Sequence, residues 1–198
     1  KKKITALMLA LARIFALAAC GGSAAPAQEN PAQENAAQEM RTVTDTWGRE
    51  VEIPYSVERI VCLGSGAPRM AAYLDVVGMM VGVEDHDKNS YTVLRDYNPV
   101  YRDEIKDLPA VGAGGGSGAN NAYAEELITL APDVILASFS AEAADELYGQ
   151  TGIPIVCVRY LSRGFVDESF YGAMRVFAEV VGAQERCEQV LAYVDACR

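Results

Sequence analysis

Apolar and polar positions change period several times along this chain, and each change marks an element. From Thr42 to Pro54 they alternate on both sides of Gly48, which predicts a β-hairpin. Arg59-Ile-Val-Cys-Leu-Gly64 reads as a strand, and Pro68 is placed to start a helix whose Met70, Leu74 and Val77 share a face until Gly78 ends it. Val81-Gly-Val-Glu84 is a short strand. The polar, tyrosine-rich stretch Asp85–Asp107 is too long for a plain connector before Leu108-Pro-Ala-Val-Gly112. A helix through Glu125, Leu127 and Leu130 is expected to be capped by Asn120 or Asn121 and stopped by Pro132. Asp133–Ser138 and Ile153–Arg159 lack polar alternation, as strands covered on both faces do, and a helix from about Ala141 to Gln150 joins them. This order predicts an α/β fold, a Rossmann-like lobe with a parallel sheet and an N-terminal β-hairpin. Two helical stripes follow, Phe170, Met174, Phe177 and Val181, then Cys187, Val190, Leu191, Val194 and Cys197. The second stripe reaches Arg198 without a capping Gly, Asn or Pro, so a helix that continues is expected.

The first forty residues obey different rules. Lys1-Lys2-Lys3, an apolar run from Ile4 to Ala19 broken by Arg13, and Leu17-Ala-Ala-Cys20 have the parts of a secretory signal. The tetrad resembles the bacterial lipobox, which implies cleavage after residue 19 and lipidation of Cys20. Residues 1–19 are thus read as a signal peptide, and residues 20–41, with Ala-Gln-Glu-Asn repeated, as a disordered tether. An extracytoplasmic, lipid-anchored location follows.

Charge and cysteines narrow the partners. Cleavage would remove four of the 17 basic residues and none of the 27 acidic ones, leaving 13 − 27 = −14. Nucleic acid and anionic lipid surfaces are poor partners for such a chain. Cys62 and Cys157 lie in apolar strand-like runs, and Cys187 and Cys197 are about 15 Å apart by helix rise, so all four read as structural thiols without metal-ligand spacing.

Six segments in order, Thr42–Pro54, Arg59–Gly64, Leu108–Gly112, Glu126-Leu-Ile-Thr-Leu-Ala-Pro-Asp-Val-Ile, Thr151–Val156 and Gly182-Ala-Gln-Glu-Arg-Cys-Glu-Gln, resemble the N-terminal half of the iron-siderophore, haem and cobalamin substrate-binding proteins of ABC importers. The resemblance implies two Rossmann-like lobes joined by one long helix, with ligand in the cleft between them. On that template residues 42–165 are the first lobe, residues 166–198 lead into the inter-lobe helix, and the second lobe is missing. It also implies a monomeric receptor without a resident cofactor, whose ligand is a ferric chelate, haem or corrinoid and whose partner is an ABC permease. Relatives of this architecture handle oxyanions such as molybdate and tungstate as well.

Ligand in an open α/β sheet belongs at the carboxyl ends of the strands. Gly66, Ala67 and Arg69 follow the first parallel strand, Tyr91, Tyr97, Tyr101 and Arg102 the second, and Gly116 and Asn120 lie in the glycine-rich loop before the next helix. These are the candidate ligand-binding residues, each with an ordinary turn, cap or anchoring role as its alternative. Glu142 occupies the place of the permease-docking glutamate of the cobalamin-type relatives, with Asp145 and Glu146 as neighbouring candidates. His86 is the only histidine, which leaves no multi-histidine metal cage unless the missing half supplies more, and Asp85-His86-Asp87 reads as a solvated acidic loop or part of an oxygen-rich metal site. Two rival functions remain. Gly114-x-Gly116-x-x-Ala119 with Asp133 partly matches a dinucleotide fingerprint and suggests an oxidoreductase, and a tethered adhesin or scaffold would bind no small ligand.

Overall fold

The computed structural model describes residues 39–89, 95–114, 121–160 and 166–197. The leader and Cys20 lie outside the described residues.

Strands β1 (Met40–Thr44) and β2 (Glu50–Pro54) form the expected antiparallel hairpin, Thr42 opposite Glu52. The first strand starts at Met40, two residues inside the stretch read as tether. Its Arg41 guanidinium donates to the carbonyls of Glu179 (2.9 Å) and Val180 (2.8 Å), which fixes the strand there.

Strands β3 (Ile60–Leu63), β4 (Met80–Gly82), β5 (Val134–Ala137) and β6 (Ile155–Cys157) make a parallel sheet in the order β4-β3-β5-β6. Successive residues of a strand point to opposite faces. Ile60, Cys62, Val134, Leu136 and Val156 therefore enter one core with Met70, Met174 and Phe177, while Val61, Leu63, Ile135, Ala137 and Ile155 enter another with Leu127 and Leu147. Helices α1 (Ala67–Tyr73) and α7 (Glu168–Val181) cover the first face, and α5 (Ala124–Leu130) and α6 (Ala141–Thr151) the second. Both faces being covered is why these strands carry no polar alternation.

Several boundaries differ from the sequence reading. Helix α1 stops at Tyr73 because Asp75 takes a left-handed conformation (φ 60°), and Val77–Met79 form a separate 3-10 turn. The described residues of the stretch Asp85–Asp107 contain three short helices, α2 (Asp85–Asn89), α3 (Tyr97–Val100) and α4 (Arg102–Ile105). Helix α5 has Tyr123 at its N-cap and no side-chain cap; Asn121 instead accepts the Ala113 amide (3.0 Å) beside the Gly112–Ala122 bridge. Asp167 caps α7, Gly182 ends it, and α8 (Gln184–Ala196) buries Cys187 and Leu191. All four described cysteines are free, and Cys197 is exposed, so the apolar stripe of α8 ends at Val194.

The hairpin turn decides which part of the sheet stays open. Asp45, buried, accepts from the amides of Trp47 (2.9 Å), Arg49 (3.0 Å) and Cys157 (3.2 Å) and from the Arg49 guanidinium. Thr46 donates to the Cys157 carbonyl, Trp47 Nε1 donates to that of Phe139 (2.9 Å), and the Arg159 guanidinium lies 5.0 Å over the Trp47 ring. The carboxyl ends of β5 and β6 are thereby covered. Among the described residues those of β3 and β4 are not.

Candidate functional site

Where β3 and β4 end, the chain leaves a cavity of about 340 Å³. From β3 come Gly64, Ser65 and Gly66, the first and third at φ 77° and 99°. A Cβ on Gly66 would lie 2.9 Å from the Tyr160 ring, so only glycine fits both the backbone conformation and the space. Arg69, in the first turn of α1, donates from Nε to Asp96 Oδ1 (2.9 Å) and from Nη1 to the Tyr160 hydroxyl (3.5 Å). Burial works to raise the Asp96 carboxyl, but hydrogen bonds from Tyr73 and Arg69 outweigh it and hold it below the usual carboxylate range.

From β4 comes Glu84, only 5% exposed, which accepts the Gly64 amide at Oε1 (3.1 Å). Burial pushes its carboxyl up to about 7; the Gly64 N–H opposes this, the Asp87 charge adds to it, and Arg95 opposes it. Asp87 is 3% exposed and accepts from the Arg95 guanidinium and the Tyr97 hydroxyl (2.7 Å). The run Asp85-His86-Asp87 is therefore not a solvated loop. It forms α2, and Asp87 is buried because Arg95 and Tyr97 satisfy it, while Asp85 accepts from the Tyr123 hydroxyl (2.8 Å). Among the described residues no group of three or more His, Cys, Asp or Glu side chains is arranged to hold a metal ion.

Of the residues singled out from sequence, Gly66, Arg69 and Tyr97 line this cavity, and Ala67 is buried behind it at the start of α1. Tyr101 and Arg102 do not line it. The Tyr101 hydroxyl reaches the Ala72 carbonyl (3.4 Å) and Asp75 (3.3 Å), and Arg102 donates to the Lys88 carbonyl (2.5 Å), so both tie the short helices to their neighbours. Tyr91, Gly116 and Asn120 lie outside the described residues. Glu84, Arg95 and Tyr160 also line the cavity; Glu84 and Tyr160 follow apolar strands, a signal the sequence carries, whereas Arg95 sits in the polar stretch between α2 and α3 without one.

A second, larger recess of about 650 Å³ adjoins the first and shares Arg69 and Tyr160 with it. Its lining is mainly apolar, from Phe170 and Val166 on one side and Val190, Tyr193 and Val194 of α8 on the other. Tyr160 meets Phe170 edge to face, ring centroids 5.4 Å apart.

Glu142 is exposed in the first turn of α6, its carboxyl drawn below the usual range by its own backbone amide and the Ser140 hydroxyl. Of its neighbours, Asp145 is taken by Arg49 (2.5 Å). Asp133 lies at the opposite, amino edge of the sheet and accepts the amides of Glu58 and Arg59 (2.8 Å each). The dinucleotide reading fails on this point: its acid is occupied on the wrong edge, and Gly114 follows isolated bridges rather than a strand of the sheet.

Three solved structures are similar in fold. A periplasmic solute-binding protein from Veillonella parvula superposes with a TM-score of 0.62 at 21% identity, covering 80% of this chain and 46% of its own. The molybdate-binding MolA of Haemophilus influenzae gives 0.57 at 20%, covering 75% and 48%. Staphylococcus aureus SirA, complexed with staphyloferrin B, gives 0.55 at 23%, covering 77% and 46%. The chain thus spans just under half the length of these proteins. No curated protein matches it. The family model described as periplasmic binding protein matches residues 60–196, well over half the chain, and it coincides with the parallel sheet, its covering helices and α8. This chain belongs to the periplasmic binding protein family.

Proposed function

We propose that this chain is the first lobe of a solute receptor, anchored outside the cytoplasm through lipid on Cys20, that captures an iron chelate (siderophore or haem) or a corrinoid and hands it to an ABC importer. It acts by binding as a monomer and leaves its ligand chemically unchanged. The observation that carries this reading is the meeting of a polar cavity and an aromatic, apolar recess at Arg69 and Tyr160. Metal chelates and macrocycles combine the same two characters, anionic oxygens and flat apolar surface. Arg69 offers a charge-assisted hydrogen bond to the first, and Tyr160 and Phe170 offer ring surface to the second. SirA in complex with staphyloferrin B and the haem-binding HmuT structures, at 22–23% identity, support this ligand class. Glu142, exposed on α6 beyond the end of β5, is the acid we assign to the permease arginines.

A second reading, a receptor for molybdate or tungstate, is favoured by the small size of the glycine-walled cavity and by the likeness to MolA. Native mass spectrometry of the mature full-length protein with its co-purified ligand separates the two. A ferric chelate, haem or corrinoid mass supports the first, an oxyanion mass the second, and a ligand-free protein that takes up none of them contradicts both and favours the adhesin or scaffold.

A further inference from the structure

Glu84 is a buried acid to which the binding reading assigns no task. Its Oε1 is held by the Gly64 amide. Its Oε2 has no hydrogen-bond or ion-pair partner among the described residues, although Glu84 is 5% exposed and lines the smaller cavity. Among the described residues the fully buried side-chain oxygen left without a partner is Asn98 Oδ1, so the unpartnered Oε2 of Glu84 is not closed off but opens onto the cavity. Gly114 walls the carboxyl on one side, since a Cβ there would lie 2.8 Å from the Glu84 Cβ and 3.1 Å from Oε2, at a backbone φ of 66°. The groups that could neutralise Glu84 are committed elsewhere, Arg95 to Asp87 and Arg69 to Asp96.

We propose that Glu84 contacts the ligand as a carboxylic acid: with Oε1 occupied by the Gly64 N–H, Oε2 carries the proton and donates it in a hydrogen bond to an anionic oxygen of the ligand. This rests on the receptor reading above and holds for either ligand class, because ferric chelates, haem propionates and molybdate all present such an oxygen. The surrounding charges agree. Asp87 of α2 disfavours a second carboxylate, and Cys62, packed beneath on β3, stays a neutral thiol because burial raises it strongly. Tyr97 gives its hydroxyl to Asp87, and Tyr160 and His86 complete the wall. With its carboxyl pushed up to about 7, Glu84 supplies the acid at neutral pH, and binding above that pH requires one proton from solvent.

The test titrates the full-length receptor that contains this lobe with sodium molybdate, ferric citrate and haemin between about pH 5.5 and 8.5. Wild-type affinity is expected to fall about tenfold per pH unit above neutrality. Glu84→Gln keeps a donor toward the cavity and a carbonyl for Gly64, so its affinity should stay flat near the wild type's acidic value. Equal pH slopes in the two proteins, or wild-type affinity that rises with pH, overturn the role of Glu84 while binding itself keeps the receptor reading intact. No saturable binding of any probe at any pH overturns both. Should the variant fail to fold, wild-type protein with ¹³C-labelled glutamate carboxyls serves: molybdate should move the Glu84 titration to higher pH, and an unmoved or lowered midpoint overturns the proposal.

Discussion

Replacing Glu84 with Gln should stabilise the protein in alkaline solution and not in acid. The folded chain raises this carboxyl from its ordinary 4.5 to about 7, chiefly by burial. Below about 4.5 both folded and unfolded chains hold the proton, and the group costs nothing. As pH rises toward 7 the unfolded chain ionises and hydrates its carboxylate while the folded chain does not, so stability is lost. Above 7 the folded chain carries a buried carboxylate and the loss is complete. At 1.36 kcal/mol per pH unit the displacement is worth about 3 kcal/mol. Gln is neutral throughout, so the stability of the variant relative to wild type should increase by about 3 kcal/mol between pH 4.5 and 8. Urea unfolding followed by circular dichroism reads this as a midpoint gap that widens by about 1–3 M. Groups that titrate equally in both proteins cancel in the difference. A gap that does not change with pH would show that Glu84 ionises normally and would refute the reasoning.

Asp45→Ala removes a buried carboxylate that gathers the hairpin turn, Arg49 and β6, and should cost about 3–5 kcal/mol of unfolding free energy; a loss below about 1 kcal/mol would mean the turn holds without it. Gly66→Val places a β-branched residue at φ 99° and against Tyr160, so probe affinity should drop at least tenfold, and unaltered affinity would remove this loop from the site. Glu142→Lys should leave ligand affinity unchanged and lower transport by the full-length receptor; normal uptake would move docking to another surface. Cys20→Ala should release the protein from membranes or leave the leader attached, and a processed, membrane-bound variant would contradict lipidation.

The central strands were legible because two cores, one on each face, demand apolar residues at every position of β3, β5 and β6, and no other element of this length does. The hairpin was legible from its alternation. The end of α1 was not, since a left-handed Asp75 has no local signature, and α2, α3 and α4 are too short to display a period. They are held by long-range bonds, such as Asp96 with Arg69 and Asp85 with Tyr123, that no short window of sequence contains. Gly66 and Arg69, placed by sequence in the loop after the first parallel strand, do line the cavity at that strand's end. Tyr101 and Arg102 do not line the cavity, and a tyrosine or arginine reads the same in sequence whether it faces a cavity or a backbone carbonyl. Glu84 was passed over because one acid after Val81-Gly-Val looks like the end of a strand; its burial depends on Gly64 and Gly114, 20 residues before and 30 after it in the chain.

The central claim is that ligand binds at the carboxyl ends of β3 and β4. Nuclear magnetic resonance of the ¹⁵N-labelled chain, with ferric citrate added stepwise, tests it most directly, because the paramagnetic iron broadens amide signals close to it. The signals of Gly64, Ser65, Gly66, Glu84 and His86 should broaden first and saturably, with those of Glu58, Arg59 and Asp133 at the amino edge unaffected. Broadening centred on the amino edge, or equal throughout the chain, would contradict the account.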